Sequence, residues 1–305
     1  MKPDISIVIP HLNQPKALAR LLQSLDAQDA GDVSFEIIVS DNGSRAPLPA
    51  EITARPGLRT VVAQTPGPGH ARNEGVAVAR GAILAFTDCD CIADPGWVAA
   101  IARHFAKPAA APVIGGEIFI ARRGSRCDAL EAYESIFGYR QHLYIKRDHY
   151  AATCNLAMRR ATFETVGGFG GLDLAEDRDW GLRAHALGMA HHFVPEMRIS
   201  TPARRSFAEL KRKWDRHVAH EYDFVRSPAG QLRWILRAFA VAASPVIDIP
   251  LIVRSARVHG LRPRLLAFGT LVRIRLHRTR RMLYVAFGGD RRALAESWRS
   301  DGAVK

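Results

Sequence analysis

Two aspartates, Asp88 and Asp90, directly follow a short apolar run, residues 82–86. The run is too short for an ordinary helix and contains no polar residue, which is typical of a strand buried on both faces. Side chains two residues apart on extended backbone point the same way, so both carboxylates can converge on one cation or polar ligand. Because ligands bind outside the carboxyl ends of strands in an open parallel sheet, the pair predicts a ligand site.

Two other interpretations of this stretch compete with a ligand site. The acids could cap the helix that follows, but Asp94 occupies the expected N-cap position and Pro95 the first helical position. Cys89 and Cys91 could bind a soft metal, yet the chain has four cysteines and no second closely spaced pair. We therefore disfavour a soft-metal site and expect reduced thiols.

Further acids stand at the ends of other predicted elements. Asp41 follows an apolar run, residues 35–40, and begins the turn sequence Asp-Asn-Gly-Ser. A simple turn former is therefore as well supported locally as a binding residue. Glu176 and Asp177 precede a helix that ends at Gly188. Taken alone, they are better explained by the helix dipole, which favours acids at a helix N-terminus.

The elements that must position these acids alternate between strand and helix. Residues 5–9 predict a first buried strand that ends at Pro10, with His11 and Asn13 directly behind it. A helix with leucines at helical spacing then begins at Pro15. Strand, turn and helix in this order open a βαβ unit.

The loop at residues 64–72 follows a predicted strand, 60–63, and opens a helix over 73–80 that ends at Gly81. The dinucleotide fingerprint requires a glycine where Arg72 stands, so a nicotinamide enzyme is disfavoured. A glycine-containing turn with an arginine at a helix N-terminus instead suits an anion. Because right-handed crossovers place all strand ends at one edge, we predict a doubly wound α/β half that binds a nucleotide.

Six motifs in order resemble the family 2 glycosyltransferases of the GT-A fold. They are IVIPHLNQ, IIVSDNGS, GPGHARNEGVAVARG, ILAFTDCDCIADPGWV, CNLAMRRATFETVGGF and AEDRDWGLRAHALG, which together extend over residues 5–195. The resemblance implies the α/β GT-A fold, a doubly wound and mostly parallel sheet flanked by helices. It also implies an inverting enzyme that moves a sugar from a nucleotide sugar, most often a UDP-sugar, to an acceptor hydroxyl.

The resemblance assigns roles residue by residue. The nucleotide-binding positions of the family fall on Pro10, His11, Asn13, Asp41, Arg72, Asn73 and Asp88. Asp90 falls on the metal position, where Mg²⁺ or Mn²⁺ would offset the charge that develops on the leaving diphosphate. Asp177 matches the general base, with Glu176 and Asp179 as rival candidates. Glu176 is expected rather to orient the acceptor or the loop as a second catalytic residue.

One position departs from the family pattern. Relatives often carry a histidine that approaches the metal downstream of the Glu-Asp motif, whereas this chain has none in the segment that begins at Arg198. His217 and His220 lie further along, and we expect them to be surface or core residues.

The excess positive charge lies in the last third of the chain. From residue 200 onward there are 22 Lys and Arg against 8 Asp and Glu, a net +14, whereas the first 199 residues carry 21 against 22, a net −1. We therefore predict a transferase domain, residues 1–200, with a nucleotide-binding half, 1–112, and an acceptor half, 113–200. Residues 201–305 are expected to form a basic, partly amphipathic helical extension. Such segregation indicates a polyanionic partner.

An apolar stretch, residues 234–253, has the length of a membrane span. Arg237 and Asp248 would cost about 5–7 kcal/mol near the bilayer centre, against about 3–6 kcal/mol returned by the apolar side chains. Pro245 and Pro250 further interrupt a helix. We expect an interfacial or re-entrant segment, or a pair of packed helices, beside an anionic membrane surface. Nucleic acid is disfavoured as a partner, because no motif of a nucleic-acid-binding fold is present.

The N-terminal residues do not resemble a signal peptide. We therefore expect a cytoplasmic protein, peripheral on the inner face of the cell membrane, that glycosylates a lipid-linked or cell-envelope glycan in polysaccharide biosynthesis. A sugar nucleotidyltransferase is one alternative, but the HLNQP segment lacks that class's glycine-rich basic loop. A membrane- or polyanion-binding protein with a non-catalytic α/β scaffold is the other, and the set of acids argues against it.

Overall fold

A computed structural model describes residues 2–171, 175–222 and 225–296 of the chain. The contacts among them define two compact units. The first, which we call the sheet unit, comprises the chain up to residue 119 together with residues 140–202. The second, the helical unit, comprises residues 120–139 together with the chain from residue 203 onward. Residues 120–139, which the sequence division places in the acceptor half, thus group with the C-terminal helices.

Strands and helices alternate through the first 86 residues, as the sequence predicts. The strands are β1 (Ile5–His11), β2 (Phe35–Asp41), β3 (Leu58–Val62), β4 (Ile83–Phe86), β5 (Ile92–Ala93), β6 (Val113–Ala121), β7 (Leu156–Arg159) and β8 (His191–Pro202). The first eight helices are α1 (Pro15–Asp26), α2 (Ala50–Thr53), α3 (Pro68–Val78), α4 (Trp97–Phe105), α5 (Ala129–Phe137), α6 (Gln141–Asp148), α7 (Arg160–Val166) and α8 (Glu176–Ala186). The strands form one sheet in the order β3-β2-β1-β4-β7-β6-β8-β5.

The first four strands of the sheet pair in parallel. Strand β1 pairs in parallel with β2 and β4, and β2 pairs in parallel with β3. Strand β7 runs antiparallel to both β4 and β6. The register of β1 and β2 continues to their ends, where His11 lies opposite Asp41. The four strands predicted over the first 86 residues are confirmed, and they deliver their polar ends to one edge of the sheet.

Two local predictions in the nucleotide-binding half were wrong. Helix α4 begins at Trp97 with Gly96 as its N-cap, so neither Asp94 nor Pro95 has the predicted position. Helix α3 ends at Val78, so Gly81 is not the residue that terminates it. Gly81 instead allows a close backbone approach, because a Cβ there would lie 2.6 Å from the backbone nitrogen of Ser6.

The helical unit is held together by two apolar clusters. Its further helices are α9 (Phe207–Tyr222), α10 (Pro228–Ala243), α11 (Ile249–Arg254), α12 (Leu261–Ala286) and α13 (Arg291–Glu296). One cluster includes Tyr133 and Leu271, and the other includes Trp234 and Met282. The apolar stretch 234–253 thus belongs to two helices joined by a turn. None of the helices in the described ranges combines the length and apolar character that crossing a membrane requires.

Candidate active site

The ends of β1 and β2 are joined by a hydrogen-bonded cluster around Asp41. His11 Nδ1 lies 3.0 Å from Asp41 Oδ1, and His11 Nε2 accepts a hydrogen bond from the backbone N–H of Gln14. Because Nε2 is an acceptor, the proton of the neutral ring lies on Nδ1, which donates to Asp41. Ser44 donates to the same carboxylate through its hydroxyl at 2.5 Å and through its backbone N–H at 3.2 Å.

These donors determine the charge state of Asp41. Burial would raise its pKa, but the hydrogen bonds from Ser44 and His11 outweigh that effect and hold the pKa below its ordinary value. Asn13 is fixed beside the cluster, since its backbone N–H donates to Ser44 Oγ at 2.9 Å and its Oδ1 accepts from the backbone of Arg45. Pro10, the residue before His11, is half-buried, whereas His11 itself is buried at the end of β1. The strand ends therefore present an ionised carboxylate in a fixed orientation.

A buried arginine connects the Asp88 motif to helix α8. Arg72 lies on α3 with its side chain 3% exposed. Its Nη2 lies 2.6 Å from Asp88 Oδ1, and its Nη1 lies 3.2 Å from Glu176 Oε1. Burial would lower the pKa of Arg72, but the two carboxylates outweigh it and raise that pKa, so the guanidinium stays charged. Arg72 thus brings together two acids that are far apart in the sequence.

Asn73, the neighbour of Arg72, has a structural contact in this arrangement. Its Nδ2 donates to the carbonyl of Phe169 at 2.9 Å, and its Oδ1 accepts from the N–H of Phe169 at 2.8 Å. The amide therefore clamps the Gly-Gly-Phe segment against the start of α3. Gly168 is required for this clamp, because a Cβ there would lie 2.9 Å from Asn73 Nδ2.

The carboxylates of Asp88 and Asp90, which follow β4, suit a hard cation better than the neighbouring cysteines suit a soft one. Cys89 is buried, and its burial, together with the charges of Asp90 and Asp88, raises its pKa well above the ordinary value. A protonated thiol is a poor metal ligand. All four cysteines are free. Within the described ranges, no group of three or more His, Cys, Asp or Glu side chains is arranged to hold a metal alone. Mg²⁺ is typically held by one or two carboxylates plus substrate phosphates, so Asp88 and Asp90 fit that mode.

Asp177 has the properties of a general base. Burial and the charge of Glu176 raise its pKa from 3.8 to about 6, although the backbone N–H of Arg178 and the charge of Arg72 act in the other direction. A carboxylate with such a pKa can accept a proton near neutral pH. Glu176 is engaged by Arg72, and the rival Asp179 forms an ion pair with Arg183 at 3.0 Å. The geometry therefore favours Asp177 among the three acids of α8.

Sequence reasoning missed two tyrosines beside Asp177. Tyr144 and Tyr150 stack with ring centroids 5.2 Å apart, and the charge of Asp177 contributes to the raised pKa of each, after burial. Tyr150 is pressed against Gly181, one helical turn after Asp177, where an added Cβ would lie 2.4 Å from the Cβ of Tyr150. No local sequence pattern signals this pair. His217, by contrast, is exposed beside Trp214, as expected, and His220 falls outside the described side chains.

Comparison with known proteins identifies the family of the chain. A model of the family described as "Glycosyl transferase family 2" matches residues 6–167, more than half of the chain. Glycosyltransferase AglE of Haloferax volcanii is 30% identical over 218 residues, which cover 69% of this chain and 70% of AglE. The pre-mycofactocin glycosyltransferase of Mycobacterium tuberculosis is 27% identical over 176 residues, or 54% of this chain and 35% of that relative.

Solved structures share the fold at low sequence identity. Mannosyltransferase PcManGT of Pyrobaculum calidifontis, in complex with GDP-Man and Mn²⁺, has a TM-score of 0.59 at 16% identity and covers 94% of this chain and 88% of its own. TarS of S. aureus in complex with UDP-GlcNAc has a TM-score of 0.50 at 18% identity, covering 98% and 92%. The resemblance seen in the sequence motifs is confirmed: the chain belongs to glycosyl transferase family 2 and is a glycosyltransferase with the GT-A fold.

Proposed function

We propose that this chain is an inverting, metal-dependent transferase that moves a sugar from a nucleotide-sugar donor, a UDP-sugar, to an acceptor hydroxyl. The single observation that carries the proposal is the position of Asp177. It is half-buried with a pKa of about 6, and it lies within electrostatic range of Arg72 and Asp88. Removing the proton of the acceptor hydroxyl would require a base close to Asp88 and Asp90, the acids that follow β4.

The donor nucleotide occupies the ends of β1 and β2 in this proposal. Asp41, held ionised by Ser44 and His11, accepts hydrogen bonds from the ribose hydroxyls. Pro10 and Asn13 form the surface on which the base rests, and the buried His11 orients Asp41 beside it. Asp88 lies near the ribose and Arg72 lies close to the nucleotide. Asn73 supports them through its clamp on Phe169.

Asp90 is the proposed ligand of Mg²⁺ or Mn²⁺, with Asp88 beside it. Support comes from the carboxylate character of the pair, from the unsuitability of Cys89, and from the Mn²⁺ bound by PcManGT. When bound, the cation offsets the negative charge of the departing nucleoside diphosphate.

Asp177 accepts the proton of the acceptor hydroxyl as that oxygen attacks the anomeric carbon. The bond from this carbon to the diphosphate breaks in the same displacement, so the configuration at the carbon inverts. Glu176, held by Arg72, fixes the first turn of α8 and thereby the direction of Asp177.

The charge of the C-terminal region supports a proposal for the acceptor and for the location of the protein in the cell. A net +14 from residue 200 onward favours an anionic membrane surface as partner. We extend the proposal to a cytoplasmic enzyme, peripheral on the inner face of the membrane, whose acceptor is a lipid-linked or cell-envelope glycan.

Thermal unfolding with UDP, GDP, CDP and dTDP, each with and without Mn²⁺, tests the donor site. A ligand present at about a hundred times its dissociation constant stabilises by about 2.7 kcal/mol. We expect UDP to raise the melting temperature only with Mn²⁺, and Asp90→Ala to abolish the shift. A shift by another diphosphate would correct the donor, and a shift that persists in Asp90→Ala would refute the metal assignment.

A further inference from the structure

Helix α10 is apolar on two opposite faces. Its inner face is buried in the helical unit, where Trp234 Nε1 donates to the carbonyl of Met282 at 2.9 Å and the carbonyl of Ala238 accepts from Thr279 at 3.0 Å. At 3.6 residues per turn, Leu232, Leu236 and Phe239 fall on the opposite side of the helix. These three large side chains are 59–60% exposed.

The exposed face continues past the end of α10. Hydrogen bonds from Val246 to Ala243 and from Ile247 to Ser244 keep the chain wound close to helical geometry. Val246 and Ile247 lie in the turn directly after the helix, and they are 68% and 79% exposed. We call the following five residues the outer stripe: Leu232, Leu236, Phe239, Val246 and Ile247.

The outer stripe belongs to a wider concentration of exposed apolar surface. Of the 19 large apolar side chains exposed within the described ranges, 13 lie between residues 232 and 287. Scattered exposed apolar residues are normal, but a continuous stripe on a helix marks a surface that contacts a protein or a membrane. Burying it in the core is excluded, because the inner face of α10 already fills that role.

The charge of the side chains near the outer stripe favours one of its two possible partners, a second copy of the chain or an anionic membrane. Arg233 lies beside the stripe on α10, and Arg254 and Arg262 are exposed on the following helices. A second copy of the chain would bring the same positive surface against itself, whereas anionic lipid headgroups complement it. The 16 residues of α10 extend about 24 Å, which is shorter than the hydrocarbon core of a bilayer.

We propose that the outer stripe is a membrane-docking face that inserts into the interfacial layer of an anionic bilayer, with α10 lying parallel to the surface. The leucine, phenylalanine, valine and isoleucine side chains enter the acyl boundary, and Arg233 contacts lipid phosphates. This inference rests on the membrane partner proposed above, and it names the residues that make the contact.

Flotation of the full chain with phosphatidylcholine vesicles, with and without phosphatidylserine, tests the docking face. We expect the wild type to float with the anionic vesicles and less with the neutral ones. Leu236→Glu/Phe239→Glu should lower the partition coefficient at least about tenfold, because two apolar side chains no longer enter the acyl boundary and two negative charges face anionic headgroups. Leu187→Glu, which adds a charge at an exposed leucine of the sheet unit, is the matched control and should float like the wild type.

The UDP and Mn²⁺ melting shift of the double variant separates this inference from the catalytic proposal. A normal shift with lost flotation supports the docking face, and a normal shift with unchanged flotation overturns it. Sedimentation supplies one further outcome. If the wild type self-associates without lipid and the double variant does not, the stripe is an interface between copies, and the membrane inference is wrong.

Discussion

Replacing Asp177 by asparagine should change how the free energy of unfolding depends on pH. Burial and Glu176 raise the pKa of Asp177 to about 6 from the ordinary value of 3.8, so the folded protein holds this proton more tightly than the unfolded chain does. The stabilisation from the bound proton is fully present below pH 3.8, the ordinary pKa of the group. It is lost as the pH rises through about 6, the pKa of Asp177 in the folded protein. Asp177 therefore destabilises the folded state at neutral pH.

The interval between the two pKa values sets the size of the effect. At 1.36 kcal/mol for each pKa unit, the loss amounts to about 3 kcal/mol. The asparagine side chain of the variant cannot ionise and avoids the loss. Relative to the wild type, Asp177→Asn should gain about 3 kcal/mol between about pH 4 and about pH 8. Urea unfolding of the ligand-free proteins across this range measures the difference.

Glu74→Gln serves as the matched control, because it removes one exposed carboxylate from α3. Its stability relative to the wild type should stay nearly constant over the same range. If Asp177→Asn also runs parallel to the wild type, Asp177 titrates as an ordinary surface acid and the argument for a raised pKa fails. If the variant instead loses stability as the pH rises, the sign of the shift is wrong.

Three further changes test the contacts around the site. Arg72→Ala should cost about 1–3 kcal/mol in urea unfolding, since it removes a buried guanidinium whose two carboxylate partners are partly exposed to solvent. An unchanged midpoint would show that Arg72 does not hold Asp88 and Glu176. Ser44→Ala should weaken nucleoside diphosphate binding about tenfold, measured by calorimetry, because Asp41 loses its hydroxyl donor. An affinity equal to that of the wild type would place the nucleotide away from Asp41. Gly81→Ala should lower the stability by about 2 kcal/mol or more, because the added Cβ overlaps with Ser6. Gly124→Ala, whose added Cβ meets open space, is the control and should be near neutral. Similar melting temperatures of these two variants would contradict the close packing at Gly81.

The four strands of the first 86 residues were predictable because each of them is a short apolar run with its own turn signal. Residues 5–9 and 82–86 contain no competing pattern, and their burial follows from composition alone. The six motifs then supplied the GT-A topology. The antiparallel pairing of β7 with β4 and β6 depends on contacts between distant segments, and no local pattern encodes it.

The start of α4 shows why local capping rules failed. Gln28, 66 positions before Asp94, donates to the Asp94 carbonyl at 2.8 Å and accepts from the N–H of Val98 at 2.9 Å. A distant side chain therefore satisfies backbone groups at the first turn of α4, and the helix begins at Trp97 without a side-chain cap from its own N-cap residue. The same limit applies in the site, where the local pattern of Glu176 and Asp177 favours a helix-dipole role. Only the fold places them beside Arg72.

The most direct test of the central claim is release of nucleoside diphosphate from the nucleotide sugar that stabilises the chain, measured with Mn²⁺ and a lipid-linked acceptor fraction. General base catalysis contributes roughly 10²–10⁴-fold, so Asp177→Asn should lose that factor in kcat while the donor still raises its melting temperature. Full turnover by Asp177→Asn would contradict the assignment of the base. Loss of donor binding in this variant would place Asp177 in the donor site and overturn the proposed mechanism.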